Sequence, residues 1–204
     1  GEASAAGAGQ LMAATWNNNV CLVEGRGSFG TRLVQEPGAA RYVYTRVHNN
    51  FEKYVKDMDL SPVHDDPEHE PPSYYLPVIP LVLANGTKGI ATGFATNILP
   101  RSPNDLSCAV REYLLNGYIA AKLPVCFPEF SGSVTYDIEN KRFIVNGTFE
   151  RNSKTVLTIT EVPYGYDRES YVKVLNKLED DNDIVSYEDK CDKQGFKFEI
   201  KLKL

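Results

Sequence analysis

A guanidinium stands directly beside a phenol in the run Gly38-Ala39-Ala40-Arg41-Tyr42-Val43-Tyr44-Thr45, and that pairing suits phosphoryl transfer. A tyrosine hydroxyl has a pKa of about 10 and is a weak nucleophile until its anion is stabilised. The fixed charge of Arg41 can stabilise both a phenolate and the charge that builds on a phosphate under attack, because guanidinium geometry matches phosphate oxygens. Tyr42 is therefore the candidate nucleophile and Arg41 its electrostatic partner. The chain has 12 tyrosines, so the ordinary alternative is a tyrosine that packs or hydrogen-bonds structurally. Tyr44 is the internal competitor. On the helix expected here the two rings point about 200° apart, and Tyr44 is assigned to packing.

A second chemical candidate is Gly25-Arg26-Gly27-Ser28-Phe29-Gly30, which satisfies G-x-G-x-x-G after a plausible strand and so raises a dinucleotide-binding oxidoreductase. That fingerprint needs a helix starting at its third glycine, whereas Pro37 follows within a turn or two. The better reading is a turn whose glycines let backbone approach something closely. Asp57-Met58-Asp59 has the form of a D-x-D magnesium motif but sits at an expected helix end rather than after a strand, and is rejected. Glu179 to Asp183 reads as a solvated acidic helix terminus. His48, His64 and His69 lack metal-binding spacing.

These residues need elements to position them. Glu2 to Trp16 is alanine-rich, with Leu11, Met12 and Trp16 on one face, and predicts a helix. Val20–Glu24 predicts a buried strand running into the glycine turn. A second helix is expected from Gly38 toward Asp57, because Tyr44, Val47, Phe51, Tyr54 and Val55 recur at helical spacing. Ser61 to Pro72 holds four acids, four prolines and no lysine or arginine. It predicts an irregular joint between two structural units. Strands and turns follow, with a turn signal at Asn85-Gly86. Ser102-Pro103-Asn104-Asp105 then opens a helix that Gly117 ends. Three strands in a meander are expected from Gly132 onward, then a helix capped by Asp167 with Tyr171, Val174, Leu175 and Leu178 as its apolar stripe. Phe196, Phe198, Ile200, Leu202 and Leu204 alternate with charges as a final strand.

At 204 residues the chain holds one sizeable core or two small ones. A net charge of -5 argues against a protein that coats nucleic acid non-specifically, so any DNA site is a local patch. Four cysteines lie far apart, which predicts free thiols in a reducing compartment and neither a zinc site nor a disulfide framework. No apolar run approaches the roughly 20 residues that span a bilayer. Gly1 is no initiator methionine and opens on a helix-like run, so the expectation is a soluble intracellular fragment of something longer.

The segments "GRGSFGTR", "AARYVYT" and "ANGTKGIATGFATNILP", with "ITEVPYGYDRESYVKVL" and "YEDKCDKQGFKFEIKL" further on, closely resemble the DNA breakage-reunion (gyrase A-like) component of type II topoisomerases. Within it, the closest likeness is to bacteriophage members of the T-even kind. The resemblance implies an α+β fold: a winged-helix remnant over residues 1–60 carrying the active-site tyrosine, then a tower domain over 61–204 with a mainly antiparallel sheet. It implies that Tyr42 is the nucleophile, Arg41 its stabiliser, and Arg26 and Arg32 phosphate contacts. Ile98 matches a wedge that enters a base step and bends the duplex, with Lys88 and Arg101 flanking it on the DNA backbone. No metal ligand is assigned. The implied cofactors are Mg2+ and ATP, both on a partner subunit that carries the ATPase and metal-binding domains. The implied partners are double-stranded DNA, that partner subunit, and a second copy forming the DNA gate, with no membrane. The implied setting is the cytoplasm of an infected bacterial cell. The competing readings are a non-catalytic DNA-bending scaffold and the oxidoreductase built on Gly25–Gly30.

Overall fold

Helix α1, Glu2–Ala13, forms where alanine dominates, and it ends earlier than the composition suggests. Asn18 Nδ2 donates to the carbonyls of Leu11 and Ala14 at 2.7 and 2.9 Å and so closes the helix end. The computed structural model describes residues 1–120 and 122–203. Two compact units emerge: residues 1–29 with 38–128, and residues 30–37 with 129–204.

In the first unit, strand β1 (Val23–Arg26) pairs antiparallel with β2 (Tyr44–Val47), with Glu24 opposite Arg46, Gly25 opposite Thr45 and Arg26 opposite Tyr44. The helix expected from Gly38 to Asp57 does not form. In its place are a 3-10 turn at Ala40–Tyr42, strand β2 and a short helix α2 at Asn50–Tyr54. Val43, Tyr44, Thr45 and Val47 are β-branched or aromatic, and β1 offers them a ladder, so pairing overrides the helical spacing.

The acidic joint is also placed differently. Residues 61–72 lie inside the first unit rather than between two units, because the chain on either side is stitched together. Val55 bridges Pro77, Val78 N–H donates to the Tyr54 carbonyl at 2.8 Å, and Ser73 N–H donates to the Pro62 carbonyl at 2.9 Å. Tyr54, before the joint, packs with Ile79, Ala84 and Leu106, after it, in one core that also holds Val20. Helix α3 (Leu81–Ala84) then leads into the hairpin of β3 (Thr87–Ala91) and β4 (Phe94–Ile98). Helix α4, Pro103–Asn116, starts as its sequence indicates: Ser102 accepts from Asp105 N–H, and Gly117 closes the other end.

The second unit holds two antiparallel sheets. Strands β5 (Ser133–Asp137) and β6 (Arg142–Asn146) pair alone. Strands β7 (Thr148–Arg151), β8 (Val156–Glu161), β9 (Ile184–Asp189) and β10 (Phe198–Leu202) make a four-stranded sheet in the order β7-β8-β10-β9. The three-strand meander thus becomes four strands: the middle run breaks at Gly147, where a Cβ would meet the Glu161 carbonyl oxygen at 2.1 Å. Strand β9 follows the acidic run, whose charges mask it in the sequence pattern. Helix α5 (Arg168–Asp180) has the Asp167 cap. Its Leu175 joins Val162, Ile184, Phe196, Phe198 and Ile200 in the core, with Leu33 against it. Leu204, the last residue of the expected alternation, lies outside the described residues. The fold is α+β, and every strand pair is antiparallel.

Candidate functional site

The β1–β2 ladder ends with Arg26 opposite Tyr44, which leaves Val43 and the 3-10 turn of Ala40–Tyr42 just beyond the strand end. Gly27, at φ +109°, lies where a Cβ would stand 3.0 Å from Val43 Cγ1 and 3.3 Å from the Tyr42 carbonyl oxygen. Any side chain there would push the Tyr42 turn away. Gly38 N–H donates to the Ser28 carbonyl at 2.9 Å, and Gln10 Nε2 donates to the Gly38 carbonyl at 2.9 Å. The G-x-G run therefore supports the tyrosine turn from beneath. No helix begins at Gly30, so the dinucleotide reading lacks the element it needs.

Tyr42 projects outward and is 68% exposed, and no hydrogen bond to its hydroxyl is present among the described residues. The Arg41 guanidinium carbon sits 4.7 Å from the centroid of its ring, a cation–π contact that holds the charge over the phenol. Tyr44 is equally exposed, in strand β2 rather than on a helix, so the helical offset that separated the two tyrosines does not apply. What distinguishes them is Arg41, which stacks on Tyr42.

The structure brings Arg26, Arg41 and Tyr42 together on neighbouring loops and strand ends of the first unit, with Arg26 exposed. Lys88 is exposed on β3, opposite Asn97. Ile98 ends β4 half-buried, opposite Thr87. Arg101 is half-buried and donates through one terminal nitrogen to the Leu99 and Pro100 carbonyls at 2.9 and 3.2 Å, and burial holds its pKa below the usual arginine value.

Arg32 departs from expectation. It belongs to the second unit, is 7% exposed and pairs with Glu161 at 3.1 Å. It also donates to the Tyr166 carbonyl at 2.9 Å and stacks on Tyr164 and Phe196, at 4.8 and 5.2 Å from their centroids. The second oxygen of Glu161 accepts from the N–H and hydroxyl of Ser131. Arg32 is thus a buried cross-link rather than a surface cation offered to phosphate.

Two asparagines anchor the hairpin through distant partners that the sequence does not reveal. Asn85 exchanges two hydrogen bonds with the Val20 backbone, at 2.8 and 2.9 Å. Asn19 Nδ2 reaches the carbonyls of Ala84, Arg101 and Cys126. The triple asparagine at 17–19 reads only as a helix stop, and partners 65 or more residues away have no local signal.

The first unit thus presents a solvent-facing, arginine-stacked tyrosine at the end of an antiparallel ladder, and an exposed hairpin that carries a cationic residue. The whole chain superposes on the solved Plasmodium falciparum topoisomerase II DNA-binding, cleavage and re-ligation domain, with a TM-score of 0.90 and 26% identity, covering 100% of this chain and 29% of that one. The family of DNA gyrase and topoisomerase IV A-subunits matches residues 1–204, and the chain belongs to it. It is 48% identical over 204 residues to the DNA topoisomerase medium subunit of Enterobacteria phage T4, covering all of this chain and 45% of that protein. It is 32% identical over 152 residues to DNA topoisomerase 2 of Candida albicans, covering 72% of this chain and 10% of that protein. The chain spans less than half the length of these relatives.

The family uses Mg2+ and ATP. Among the described residues no three His, Cys, Asp or Glu side chains gather to hold a cation. No helix among the described residues is long and apolar enough to cross a membrane.

Proposed function

We propose that the chain is the DNA-cleaving and rejoining part of an ATP-dependent type II DNA topoisomerase, with Tyr42 as the nucleophile. The observation that carries the reading is the Arg41 guanidinium stacked 4.7 Å from the ring centre of an exposed tyrosine. The Tyr42 hydroxyl loses its proton and its oxygen attacks a DNA phosphorus. The bond from phosphorus to the 3′ oxygen breaks, that oxygen takes up a proton, and the 5′-phosphate remains on the tyrosine. Arg41 stabilises the charge that collects on the phosphoryl oxygens. The phosphotyrosyl ester preserves a phosphodiester-like bond, so attack by the 3′ hydroxyl reverses the step without a cofactor.

In this reading the exposed cations Arg26 and Lys88 contact phosphates, Arg101 is a further backbone contact, and Ile98 is the wedge that bends the gate DNA. Winged-helix chemistry belongs to residues 1–60 and tower function to 61–204, a functional division that runs across the two compact units rather than along their border. A partner subunit supplies ATP hydrolysis and the metal, and a second copy completes the gate. The setting is the cytoplasm of an infected bacterium.

The test is a cleavage trap: the complete enzyme with supercoiled DNA and magnesium, stopped with detergent and mapped for protein–DNA adducts. The adduct disappears in Tyr42→Phe and persists in Tyr44→Phe. An adduct that survives Tyr42→Phe removes the assignment, and no adduct in the unaltered enzyme favours a DNA-bending scaffold.

A further inference from the structure

From Pro71 to Asn104 the chain carries no aspartate or glutamate, although it has 27 elsewhere, and its only full charges there are Lys88 and Arg101. The β3–β4 hairpin stands in the middle of this stretch, with both strands exposed along almost their whole length. Residues directly opposite in an antiparallel pair share a face. One face therefore holds Thr87, Gly89 and Ala91 on β3, with Phe94, Thr96 and Ile98 on β4; Lys88, Ile90, Ala95 and Asn97 lie on the other.

The first face is uncharged and has a distinctive relief. Phe94, beside the hairpin turn, is 82% exposed, whereas Ile98 at the base is half-buried. Between them lie only Gly89, Ala91 and Thr96. A Cβ at Gly89 would meet nothing within 4 Å, so no contact inside the fold calls for glycine at that point. A bare backbone with empty space above it suits a partner surface that must approach closely.

We propose that Phe94 is a second apolar contact to double-stranded DNA, acting with Ile98 from the same face of the ribbon, with Gly89 leaving room for the duplex between them. The inference rests on the DNA-bending role given to Ile98 under the proposed function. Four residues along a strand span about 13 Å, roughly four base steps at about 3.4 Å each. The ribbon thus grips the duplex at two separated steps instead of one, and apolar side chains placed against base steps are an established means of bending DNA. The absence of acids over the whole surrounding stretch suits a polyanion as the occupant.

The experiment measures bending, by energy transfer between dyes at the two ends of a short duplex, together with affinity. It uses the complete enzyme in a Tyr42→Phe background, so that cleavage does not intrude. Phe94→Ala and Ile98→Ala each weaken bending and binding by about tenfold, on the scale of losing one apolar contact at a base step. Gly89→Val weakens them similarly while thermal unfolding stays level or improves, because valine is the better strand former. Ile90→Ala, on the opposite face, changes neither by more than about twofold. Normal bending in Phe94→Ala and Gly89→Val alongside impaired Ile98→Ala overturns this inference and leaves the hairpin's role intact. Normal bending in all of them, Ile98→Ala included, overturns the underlying reading of the hairpin. A loss in Ile90→Ala as large as that in Phe94→Ala also overturns it, since the tip would then be covered from both sides, as by another protein surface or a second copy.

Discussion

Replacing Arg32 by alanine separates two roles that the sequence could not tell apart. The side chain is buried against Glu161 at 3.1 Å and lies between the Tyr164 and Phe196 rings. Removing one member of a buried ion pair leaves the other uncompensated, at a cost of about 3–5 kcal/mol. Glu161 keeps the Ser131 N–H and hydroxyl and the Val162 N–H, which stabilise its charge and place the expected loss near the low end, about 3 kcal/mol. The buried Nε of Arg32 has no hydrogen-bond partner, so the native pair is itself imperfect and pulls the figure the same way. The assay is urea unfolding of Arg32→Ala, Glu161→Gln and the double variant. The double variant costs less than the sum of the singles, by about 0.5–3 kcal/mol, because the two groups share one interaction. Duplex affinity as a function of salt is then measured for an uncharged Arg32→Gln variant under conditions where it stays folded. A phosphate contact would flatten the slope by about one ion, whereas a structural cross-link leaves it unchanged. A stability change under about 1 kcal/mol in Arg32→Ala, with a flattened slope in Arg32→Gln, would refute the structural account.

Local geometry sets the outcome at three other positions. Asp167 caps α5, and the hydrogen bond from the Ser170 hydroxyl, with its N–H, holds the carboxyl below the usual aspartate range despite partial burial. A depressed folded pKa contributes stability that is full above about pH 4 and fades as pH falls through the folded value. Asp167→Asn therefore flattens the acid limb of a stability–pH curve, while Asp167→Ala costs about 1 kcal/mol at neutral pH through loss of the cap. Gly86→Ala forces φ +74° on a side chain whose Cβ would sit 2.5 Å from the Ile98 carbonyl oxygen. It destabilises the hairpin base by more than about 1 kcal/mol, seen as faster proteolysis between β3 and β4. Burial pushes the Cys191 thiol up to about 11. Iodoacetamide labelling of Cys191, followed by peptide mass, is therefore slow at pH 8 and accelerates only toward pH 11.

Much of this protein is legible along the chain because the signals are local. The α4 start at Ser102-Pro103, the α5 cap at Asp167 and the alternation ending in β10 depend on neighbours within a few residues, and each appears where its residues put it. The Arg41-Tyr42 pair is equally local, since adjacent residues can stack without help from the fold. Other features required partners far away. Helical spacing around Tyr44 gave way to a strand because β1 lies beside it, 22 residues earlier at the Glu24–Arg46 pair. The acidic joint did not divide the chain, because Tyr54 and Ile79 on its two sides enter one core. Arg32 looked like any loop arginine until Glu161, 129 residues on, was brought against it. Residue chemistry and short-range periodicity are written in sequence, but burial is a property of what a side chain ends up touching. Tertiary structure alone therefore decided that Arg32 is withdrawn from the surface while Arg26, Tyr42 and Phe94 remain on it.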